Sequence, residues 1–379
     1  MRIAYISYPA FADSDFPLVR ALREEGNEVF YYLIVTPFHC HSTLVDINRL
    51  QEGYDIVPGS VYPELRQYDT YLDSATIRLV NFGGNEKGKI FRLWRKLHRE
   101  LRKIRPDVIH VTHFFSPHAL YYYLTFRNRL FITIHDPVYH AGEFSRWDAF
   151  LRKMGASFMR GFVFLSHNDK LIGTFREAYH IPAAKVHYAA LAPYDWLHVV
   201  PRDTQSHDSD FLFIGRISPY KGIDTLLAAM DILSQKHHGA KLIIAGAGNF
   251  WFDISSYENR PDIEIIHRFV SISEMVTLMA DTRYVVCPYS EGTQSGIIMS
   301  ALALGRPVIA TEVGDFASII EEGVNGMLVP PSDPAALAAA MDAALAPDRL
   351  EHFRQQLDAC DHDSEWRRIA RMFGAAYQS

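Results

Sequence analysis

The sequence predicts an α/β protein of two Rossmann-like, doubly wound domains facing a cleft. Strand and helix patterns alternate along most of the chain, and the alternation breaks at the polar stretch Pro201 to Asp210 before it restarts. With 379 residues, 48% of them hydrophobic, the chain is long enough for two cores. We therefore predict one domain over 1–200 and a second over 201–362, followed by a separate segment, 363–379.

The first half opens with a β-α-β pattern. A strand starts at Arg2 with "RIAYIS", the helical stretch "FPLVRALREEG" ends at Gly26, and "EVFYYLIV" forms the next strand. Further predicted strands run from Asp107 to Val111, Leu130 to His135, Gly161 to Ser166 and Lys185 to Ala190. The region from His41 to Asn85 is irregular, and the sequence pattern does not assign its elements.

The second half repeats the alternation. Its predicted strands are "FLFIG", "KLIIAG", "IEIIH", "YVVCP", "RPVIA" and "GMLVP". In the helix "GIDTLLAAMDILSQ" the residues Ile223, Leu226, Leu227 and Met230 share one face. An Ala-rich helix follows from Asp333 to Ala346, and the last segment, "SEWRRIARMFGAAYQ", is amphipathic.

Composition and charge narrow the function classes. A formal charge of -6 gives no global attraction to nucleic acid. The cysteines Cys40, Cys287 and Cys360 are scattered, odd in number and without metal-ligand spacing, which indicates a reducing compartment and no zinc. Because there is no signal-peptide pattern and no apolar run of about 20 residues, we expect a cytoplasmic protein that is either soluble or peripheral on the membrane.

The first candidate site is the stretch "FIGRISPYKGIDTL". Arg216 directly follows a strand, and Lys221 lies at the start of a helix, where the helix dipole disfavours a cation unless an anion is near. Two cations and the unpaired N–H groups of a helix start form a phosphate site. The alternative is that Lys221 is a solvated surface residue and Arg216 pairs with a neighbouring acid.

The second candidate is "IIAGAGNF", in which Gly246 and Gly248 would let the backbone approach a ligand closely. The third glycine of a dinucleotide fingerprint would fall at Trp251, and the first strand leads into "YPAFADSD" rather than a Gly-rich turn. Both observations argue against a nicotinamide-dependent dehydrogenase.

The third candidate is "PYSEGTQSGIIMSALAL", which places Glu291 in a turn after a buried strand. Gly292 to Gly296 then lead into a helix N-terminus. Glu291 can accept hydrogen bonds from hydroxyls but cannot favour a phosphate. Cations on one side and a carboxylate on the other suit a ligand with a diphosphate and a polyol, which describes a nucleotide sugar.

These motifs resemble a known family. From about Phe211 to Met341, "FIGRISPYKGIDTLLAAM", "IIAGAGNF" and "PYSEGTQSGIIMSALALGRPVIAT" are similar, in order and spacing, to the donor domain of the GT-B-fold retaining glycosyltransferases of group 1, GT4. In the first half "RPDVIHVTH", "FITIHDP" and "FVFLSHNDK" look like landmarks of the same family.

The resemblance implies transfer of a sugar from a nucleotide diphosphate with retention of configuration, without a metal or another cofactor. Arg216 and Lys221 match the diphosphate-binding pair, and Glu291 matches the glutamate that contacts sugar hydroxyls. His135, in "TIHDP", matches a catalytic histidine that faces the donor sugar across the cleft. Arg268 to Val270 align with the turn whose backbone contacts the base. The terminal segment 363–379 resembles the family's last helix, which packs back on the first domain with Trp366 and Tyr377 in the core.

The sequence departs from the family in two places. Where the family carries a second acid, often a ribose ligand, this chain has Ser300, or Met299 by strict spacing, so Ser300 could supply only one hydroxyl. Gly292, Thr293, Gln294, Ser295 and Gly296 then become candidate donor contacts. The loop after the first strand, often Gly-Gly in the family, is "YPAFADSD". No residue stands out as a covalent nucleophile, which leaves either an unrecognised carboxylate or a front-face reaction in which the diphosphate takes the acceptor's proton. The resemblance implies the front-face reaction, with catalysis coming from electrostatic stabilisation of the leaving diphosphate.

The stretch Lys87 to Pro106 is a basic amphipathic helix. Ile90, Trp94, Leu97, Leu101 and Ile104 form one apolar stripe, while basic residues cover the rest. One interpretation is a helix for an anionic membrane surface, which implies a lipid-linked acceptor; the other is an ordinary helix that packs on the sheet. For the whole protein, a nucleotide-sugar epimerase or hydrolase and a catalytically silent binding or scaffold protein remain alternatives.

Overall fold

The computed structural model describes residues 1–37, 42, 45–47, 50, 52–84, 86–114, 120–135, 137, 146–166, 168–205, 207–237 and 239–379. The chain divides into two compact units: unit 1 comprises Met1–Leu191 and Asp363–Ser379, and unit 2 comprises Ala192–His362. The sequence analysis placed this boundary at 200/201. It lies at 191/192 because the segment after Leu191 packs in unit 2, where Tyr194 N–H donates to Met299 O (3.4 Å) and Trp196 is buried.

Unit 1 contains an eight-stranded sheet in the order β3-β4-β2-β1-β5-β6-β7-β8. The strands are β1 Arg2–Ser7, β2 Glu28–Val35, β3 Tyr54–Pro58, β4 Ile77–Phe82, β5 Val108–Val111, β6 Leu130–Ile134, β7 Gly161–Phe164 and β8 Val186–Tyr188. Only the pairing of β3 with β4 is antiparallel among these strands. β3 and β4 fall in the region for which the sequence predicted no element. β3 is an edge strand, where Pro58 is tolerated.

Unit 2 contains a six-stranded parallel sheet in the order β11-β10-β9-β12-β13-β14. Its strands are β9 Ser209–Ile214, β10 Leu242–Gly246, β11 Ile263–His267, β12 Thr282–Cys287, β13 Val308–Thr311 and β14 Gly326–Val329. These six strands confirm the predicted parallel sheet, with almost continuous burial in β9, β10, β12 and β13, as expected for strands covered on both faces.

The helices in chain order are α1 Ala12–Glu24, α2 Pro63–Arg66, α3 Lys87–Ile104, α4 Leu120–Phe126, α5 Arg146–Ala156, α6 Asp169–Tyr179, α7 Ile223–Ser234, α8 Ile272–Asp281, α9 Gly296–Ala303, α10 Phe316–Ile319, α11 Pro334–Ala344, α12 Arg349–Asp358 and α13 His362–Gln378. In the part of the chain that the structure describes, no helix combines the length and apolar character needed to cross a bilayer.

Helix α13 is anchored in unit 1 by a buried polar contact. Tyr377 OH lies 3.0 Å from His110 Nδ1, and Thr133 Oγ1 lies 2.8 Å from the other ring nitrogen of His110. Burial, reinforced by His135, lowers the pKa of His110 to about 3, so its imidazole is neutral and both ring nitrogens are partnered. Trp366 and Phe373 are also buried on this helix.

Each sheet has one point at which the strand order reverses. In unit 1 it lies between β1 and β5, and in unit 2 between β9 and β12. At such a point the loops after the two strands turn in opposite directions and leave a crevice, which is where open α/β sheets bind ligands. The two crevices are therefore the places to look for sites.

Candidate functional site

Two loops meet at the crevice of unit 2: residues 215–222 after β9 and residues 288–296 after β12. Ser290 N–H donates to Tyr220 O (2.9 Å), which joins them directly. At Gly222, with φ +66°, a Cβ would lie 1.9 Å from Pro288 O. Only glycine permits this approach, so the close packing of the two loops depends on the absence of a side chain at Gly222.

The joined loops hold Lys221 against aromatic rings. Its Nζ lies 3.7 Å from the ring centroid of Tyr289 and 5.0 Å from that of Tyr220. Burial, with repulsion from Arg216 added, lowers the pKa of the Lys221 ammonium to about 8. A largely desolvated cation beside a second cation is stabilised by an anion, and cation–π contacts replace only part of its hydration.

Arg216 is exposed and lies beside the same tyrosine. Its Nη2 donates to Tyr220 OH (3.3 Å), and its Cζ lies 5.9 Å from the Tyr220 ring centroid. Arg216 and Lys221, the cations singled out in the sequence, are thus both in contact with Tyr220. Lys221 is half-buried against two aromatic rings, which disfavours the alternative that it is a solvated surface residue.

Gly246 and Gly248 are required by loop packing. A Cβ on Gly246 would lie 1.8 Å from Gly215 O, and one on Gly248 would lie 2.2 Å from Ile217 O. In the same place Gly215 N–H donates to Ala245 O (3.0 Å) and Ile217 N–H donates to Ala247 O (2.8 Å). The sequence analysis assigned these glycines to close approach of a ligand; in the structure they admit the neighbouring loop that carries Arg216.

The loop that carries Glu291 is also held by the segment that follows β13. Asp315 N–H donates to Thr293 O (3.0 Å), and a Cβ on Gly314, with φ +53°, would lie 2.0 Å from Gly292 O. Glu291 itself is exposed. Its carboxylate therefore projects from a loop whose backbone is fixed on both sides.

The side chains between Glu291 and α9 are mostly buried. Thr293 and Ser295 are buried, and Ser295 Oγ lies 3.2 Å from Tyr289 OH. Gln294 is half-buried, and Gly296 begins α9. Ser300 is 5% exposed and Met299 is 1% exposed. Both residues proposed for the position of the family's second acid are therefore buried on α9, and neither supplies a carboxylate.

The turn after β11 is fixed by an ion pair. Arg268 donates to both carboxylate oxygens of Glu274, at 2.7 and 2.6 Å, and Ser271 Oγ caps α8 by accepting from Glu274 N–H (3.2 Å). Val270 is buried. The Arg268 side chain is thus held at the start of α8 by Glu274.

His135 belongs to unit 1 and directly follows β6. Its ring stacks on that of Phe11, with centroids 4.3 Å apart and an interplanar angle of 22°. It lines a cavity together with His113, Phe114 and Arg152. Arg216, Lys221 and Glu291 are brought together in unit 2, whereas His135 is part of the crevice of unit 1.

A buried carboxyl group in the same crevice was missed in the sequence. Asp15 is 1% exposed and accepts hydrogen bonds from Tyr5 OH (2.7 Å) and from Ser7 Oγ, while Ser7 Oγ lies 2.8 Å from Thr112 Oγ1. Burial raises the pKa of Asp15 to about 8. The only signal was the unusual loop "YPAFADSD", which contains this residue.

The described residues contain no group of three or more His, Cys, Asp or Glu side chains arranged to hold a metal ion.

Two Rossmann-like units of this topology define the GT-B class of proteins. Solved structures of that class cover the whole chain: Anabaena HepE in complex with UDP-glucose gives a TM-score of 0.64 at 16% identity, over 99% of this chain and 100% of that one. At this identity the likeness shows the fold.

The chain belongs to the group 1 glycosyltransferases, GT4. The family model for Glycosyltransferase Family 4 matches residues 17–189, and the model for Glycosyl transferases group 1 matches residues 208–346. The predicted family and fold class are confirmed.

Curated relatives match part of the chain. An uncharacterised glycosyltransferase of Methanocaldococcus jannaschii is 30% identical over 145 residues, which are 38% of this chain and 37% of that protein. A phosphatidyl-myo-inositol mannosyltransferase of Mycolicibacterium smegmatis is 30% identical over 179 residues, 46% of this chain and 44% of that protein. The matches therefore span less than half the length of these relatives.

Proposed function

We propose that the protein transfers a sugar from a nucleotide-diphosphate sugar to a glycan or lipid-linked acceptor, with retention of configuration and without a metal. The observation that carries this proposal is the pair Arg216 and Lys221, packed around Tyr220 where the sheet of unit 2 reverses. Two cations beside the first turn of a helix form a diphosphate site.

The chemistry follows from the charges. Cleavage of the sugar–diphosphate bond places negative charge on the leaving diphosphate, and preorganised cations that stabilise this charge lower the barrier. Arg216 and Lys221 perform the role that a divalent cation has in other enzymes. Glu291 accepts hydrogen bonds from sugar hydroxyls. We also propose His135, which matches the family's catalytic histidine, as a catalytic residue.

The remaining donor contacts are proposed at the backbone. The N–H groups from Gly292 to Gly296 lead into α9, and the turn Arg268 to Val270 contacts the base. The names of similar proteins support a nucleotide sugar, since the solved structures include a protein bound to UDP-glucose. They also support a lipid-linked acceptor, since one relative is a phosphatidyl-myo-inositol mannosyltransferase.

Helix α3 supports a membrane-associated acceptor. Its apolar stripe is buried at Leu93, Trp94, Leu97 and Leu101, so the helix packs on unit 1. The opposite face remains exposed and carries Arg92, Arg95, Arg99, Arg102 and Lys103, with Phe91 45% exposed among them. The packed stripe agrees with the interpretation of an ordinary helix on the sheet, and it leaves the basic face exposed. We propose that this basic face contacts anionic lipid.

Calorimetric titration tests the donor site. Metal-free protein is titrated with UDP, GDP, ADP and CMP, and the Arg216→Ala variant is measured beside it. We expect one nucleoside diphosphate to bind, and we expect the variant to lose about 2 kcal/mol or more of binding free energy, because a charged partner of the diphosphate is removed. Arg283→Ala is the control, since Arg283 pairs with Asp210 at the other end of β9.

An unchanged dissociation constant in Arg216→Ala would contradict the site assignment. Binding of a nucleoside diphosphate without transfer to any acceptor, unaffected by His135→Ala, would instead favour a catalytically silent nucleotide-sugar-binding protein. The absence of an acid at Ser300 and Met299 is the observation that keeps this second candidate open.

A further inference from the structure

Tyr289, in the loop that follows β12, is fixed by its packing in unit 2. It is 1% exposed, and Thr311 of β13 donates from its Oγ1 to Tyr289 O (2.5 Å). The ring of Phe316 on α10 meets that of Tyr289 with centroids 5.5 Å apart and an interplanar angle of 63°. The neighbouring strand and α10 therefore set the positions of both the backbone and the ring of Tyr289.

The ring of Tyr289 contacts the ammonium group of Lys221. The Nζ atom lies 3.7 Å from the ring centroid. The ionisable neighbours that act on it among the described residues are Arg216 and Cys287, and neither is a carboxylate. An aromatic ring attracts an ammonium group without forming a salt bridge. The ring therefore places Lys221 and leaves its charge available to an anion.

The hydroxyl of Tyr289 contacts a different element, helix α9. Tyr289 OH lies 3.2 Å from the Oγ of Ser295, which is the N-cap residue of α9. An N-cap serine ordinarily accepts from the N–H of the second or third residue of its helix, but the Ser295 side chain forms no such bond. The buried thiol of Cys287 also interacts with both hydroxyls, and sulfur is the weaker partner. Tyr289 OH thus engages the oxygen atom that would otherwise cap α9.

The first turn of α9 consequently keeps its backbone donors. The N–H groups of residues 296–298 have no acceptor in the part of the chain that the structure describes. A Cβ on Gly215 would lie 4.0 Å from Ile297 Cγ1, so this turn lies beside the loop that carries Arg216. Uncapped N–H groups at a helix start carry partial positive charge and attract anions.

We propose that Tyr289 is a positioning residue of the diphosphate site: its ring places Lys221, and its hydroxyl keeps Ser295 from capping α9, so that the cation and the helix N–H groups meet the same oxyanion. The proposal rests on the donor site proposed above, because Tyr289 acts through Lys221 and α9 and not on the ligand itself.

The test uses inorganic pyrophosphate, a diphosphate without a base, in calorimetric titrations of the full-length protein. Tyr289→Phe keeps the ring and removes the hydroxyl, so that Ser295 Oγ can turn to the N–H groups of α9. We expect the affinity to fall about fivefold, the contribution of a typical N-cap, because pyrophosphate must displace the new cap. Tyr284→Phe is the matched control, since Tyr284 is also buried on β12 and its hydroxyl has no hydrogen-bond partner among the described residues.

The Ser295→Ala background separates the hydroxyl from the ring. Without the Ser295 hydroxyl no side-chain cap can form, so Tyr289→Phe should no longer change the affinity for pyrophosphate, whereas a general loss of packing would weaken binding in either background. Tyr289→Leu removes the ring and should weaken binding in this background too, because Lys221 is no longer held in place. An equal effect of Tyr289→Phe in both backgrounds overturns the role of the hydroxyl, and no effect of Tyr289→Leu overturns the role of the ring.

The two proposals fail separately in this design. Arg216→Ala tests the donor site itself: unchanged pyrophosphate affinity in that variant contradicts the site, and no binding to the wild type contradicts both the site and the role of Tyr289. Binding that Arg216→Ala weakens, but that is equal in the wild type, Tyr289→Phe and Tyr284→Phe, supports the donor site and overturns the role of the Tyr289 hydroxyl.

Discussion

The proposed contact of Lys221 with the diphosphate predicts that donor binding depends on pH. In the protein without ligand, burial and Arg216 lower the pKa of the ammonium to about 8, and a bound diphosphate raises it again because it pairs with the charged form. Below about pH 7 the ammonium is already present, so binding is independent of its titration. As pH rises through 8, binding requires proton uptake, and affinity falls by up to about tenfold per pH unit until the pKa of the complex is reached.

Calorimetry at pH 7 to 9.5 checks this prediction, and buffers of different ionisation enthalpy reveal the proton that is taken up. Lys221→Arg is the control, because a guanidinium stays charged over this range and the pH dependence should disappear. A wild-type affinity that is constant from pH 7 to 9.5 would show that Lys221 does not contact the diphosphate.

The sequence singled out Arg216, Lys221 and Glu291 as candidates because each has a local signal: a cation at a strand end, a cation at a helix start, and an acid in a Gly-rich turn. It could not show that Lys221 contacts Tyr289, since the two residues are distant along the chain and meet only when two loops pack. Asp15 was missed for another reason, because it lies in no recognisable motif.

At the scale of elements, the loops around the donor site are held together by glycines. In Gly248→Ala the new Cβ would lie 2.2 Å from Ile217 O, which is backbone and cannot move alone. We expect a loss of about 1–3 kcal/mol in the free energy of unfolding, and a weaker nucleotide affinity, because the loop that carries Arg216 must shift.

Gly26→Ala is the matched control for this substitution. Gly26 also has a positive φ, +79°, but nothing lies within 4 Å of its Cβ position. It should cost only about 1–2 kcal/mol from backbone strain and leave nucleotide affinity unchanged. Chemical denaturation and calorimetry on both variants give the comparison; equal nucleotide affinities in the two would contradict the role given to Gly248.

Helix α3 gives a second test at this scale. Replacing Arg92 and Arg95 with glutamine removes two exposed charges, each worth about 1 kcal/mol at an anionic surface. We expect binding to vesicles that contain anionic lipid to weaken by about 2 kcal/mol, and we expect wild-type binding to fall with added salt. The same exchange at Arg367 and Arg368 of α13 is the control, and an equal effect of the two pairs would show non-specific attraction.

The sequence analysis missed the strands β3 and β4. β4 is almost continuously buried, like the strands that were predicted, so its apolar pattern was a signal that the irregular surroundings obscured. β9 to β14 are short, apolar and bounded by turn residues, and each was predicted. β3 lies at the sheet edge, and none of its residues is fully buried, so it lacks the apolar alternation that predicts a strand. It is held in the sheet by its antiparallel pairing with β4, which sequence periodicity does not show.

At the scale of the whole molecule, α13 belongs to the core of unit 1. Phe373 is fully buried, and Phe373→Ala should lower the stability of unit 1 by about 3–5 kcal/mol. The proposed nucleotide site lies in unit 2, so its dissociation constant should not change. Differential scanning calorimetry checks both: a nucleoside diphosphate raises the transition of the unit that binds it. Lowering of that same transition by Phe373→Ala would contradict the assignment of α13.

The domain boundary shows what composition can and cannot locate. The polar stretch after Pro201 is the visible change in composition, and the sequence analysis placed the boundary there. The segment from Ala192 to Val200 contains Trp196 and Leu197, whose burial in unit 2 moves the division upstream. Composition thus locates the solvated part of the connection, whereas the boundary between the units depends on which unit each segment packs in.

Because α13 returns to unit 1, both chain ends belong to the same unit, and Arg160 Nη2 donates to the carbonyl oxygen of the last residue, Ser379 (2.6 Å). Unit 2 is in effect an insertion between two parts of unit 1. A protease cut at one junction would leave a nicked chain still joined at the other, so releasing either unit takes two cuts. Conversely, residues 192–362 form one continuous segment, so the unit that carries Arg216 and Lys221 can be exchanged for that of a relative in a single replacement that leaves the sequence of unit 1 unchanged.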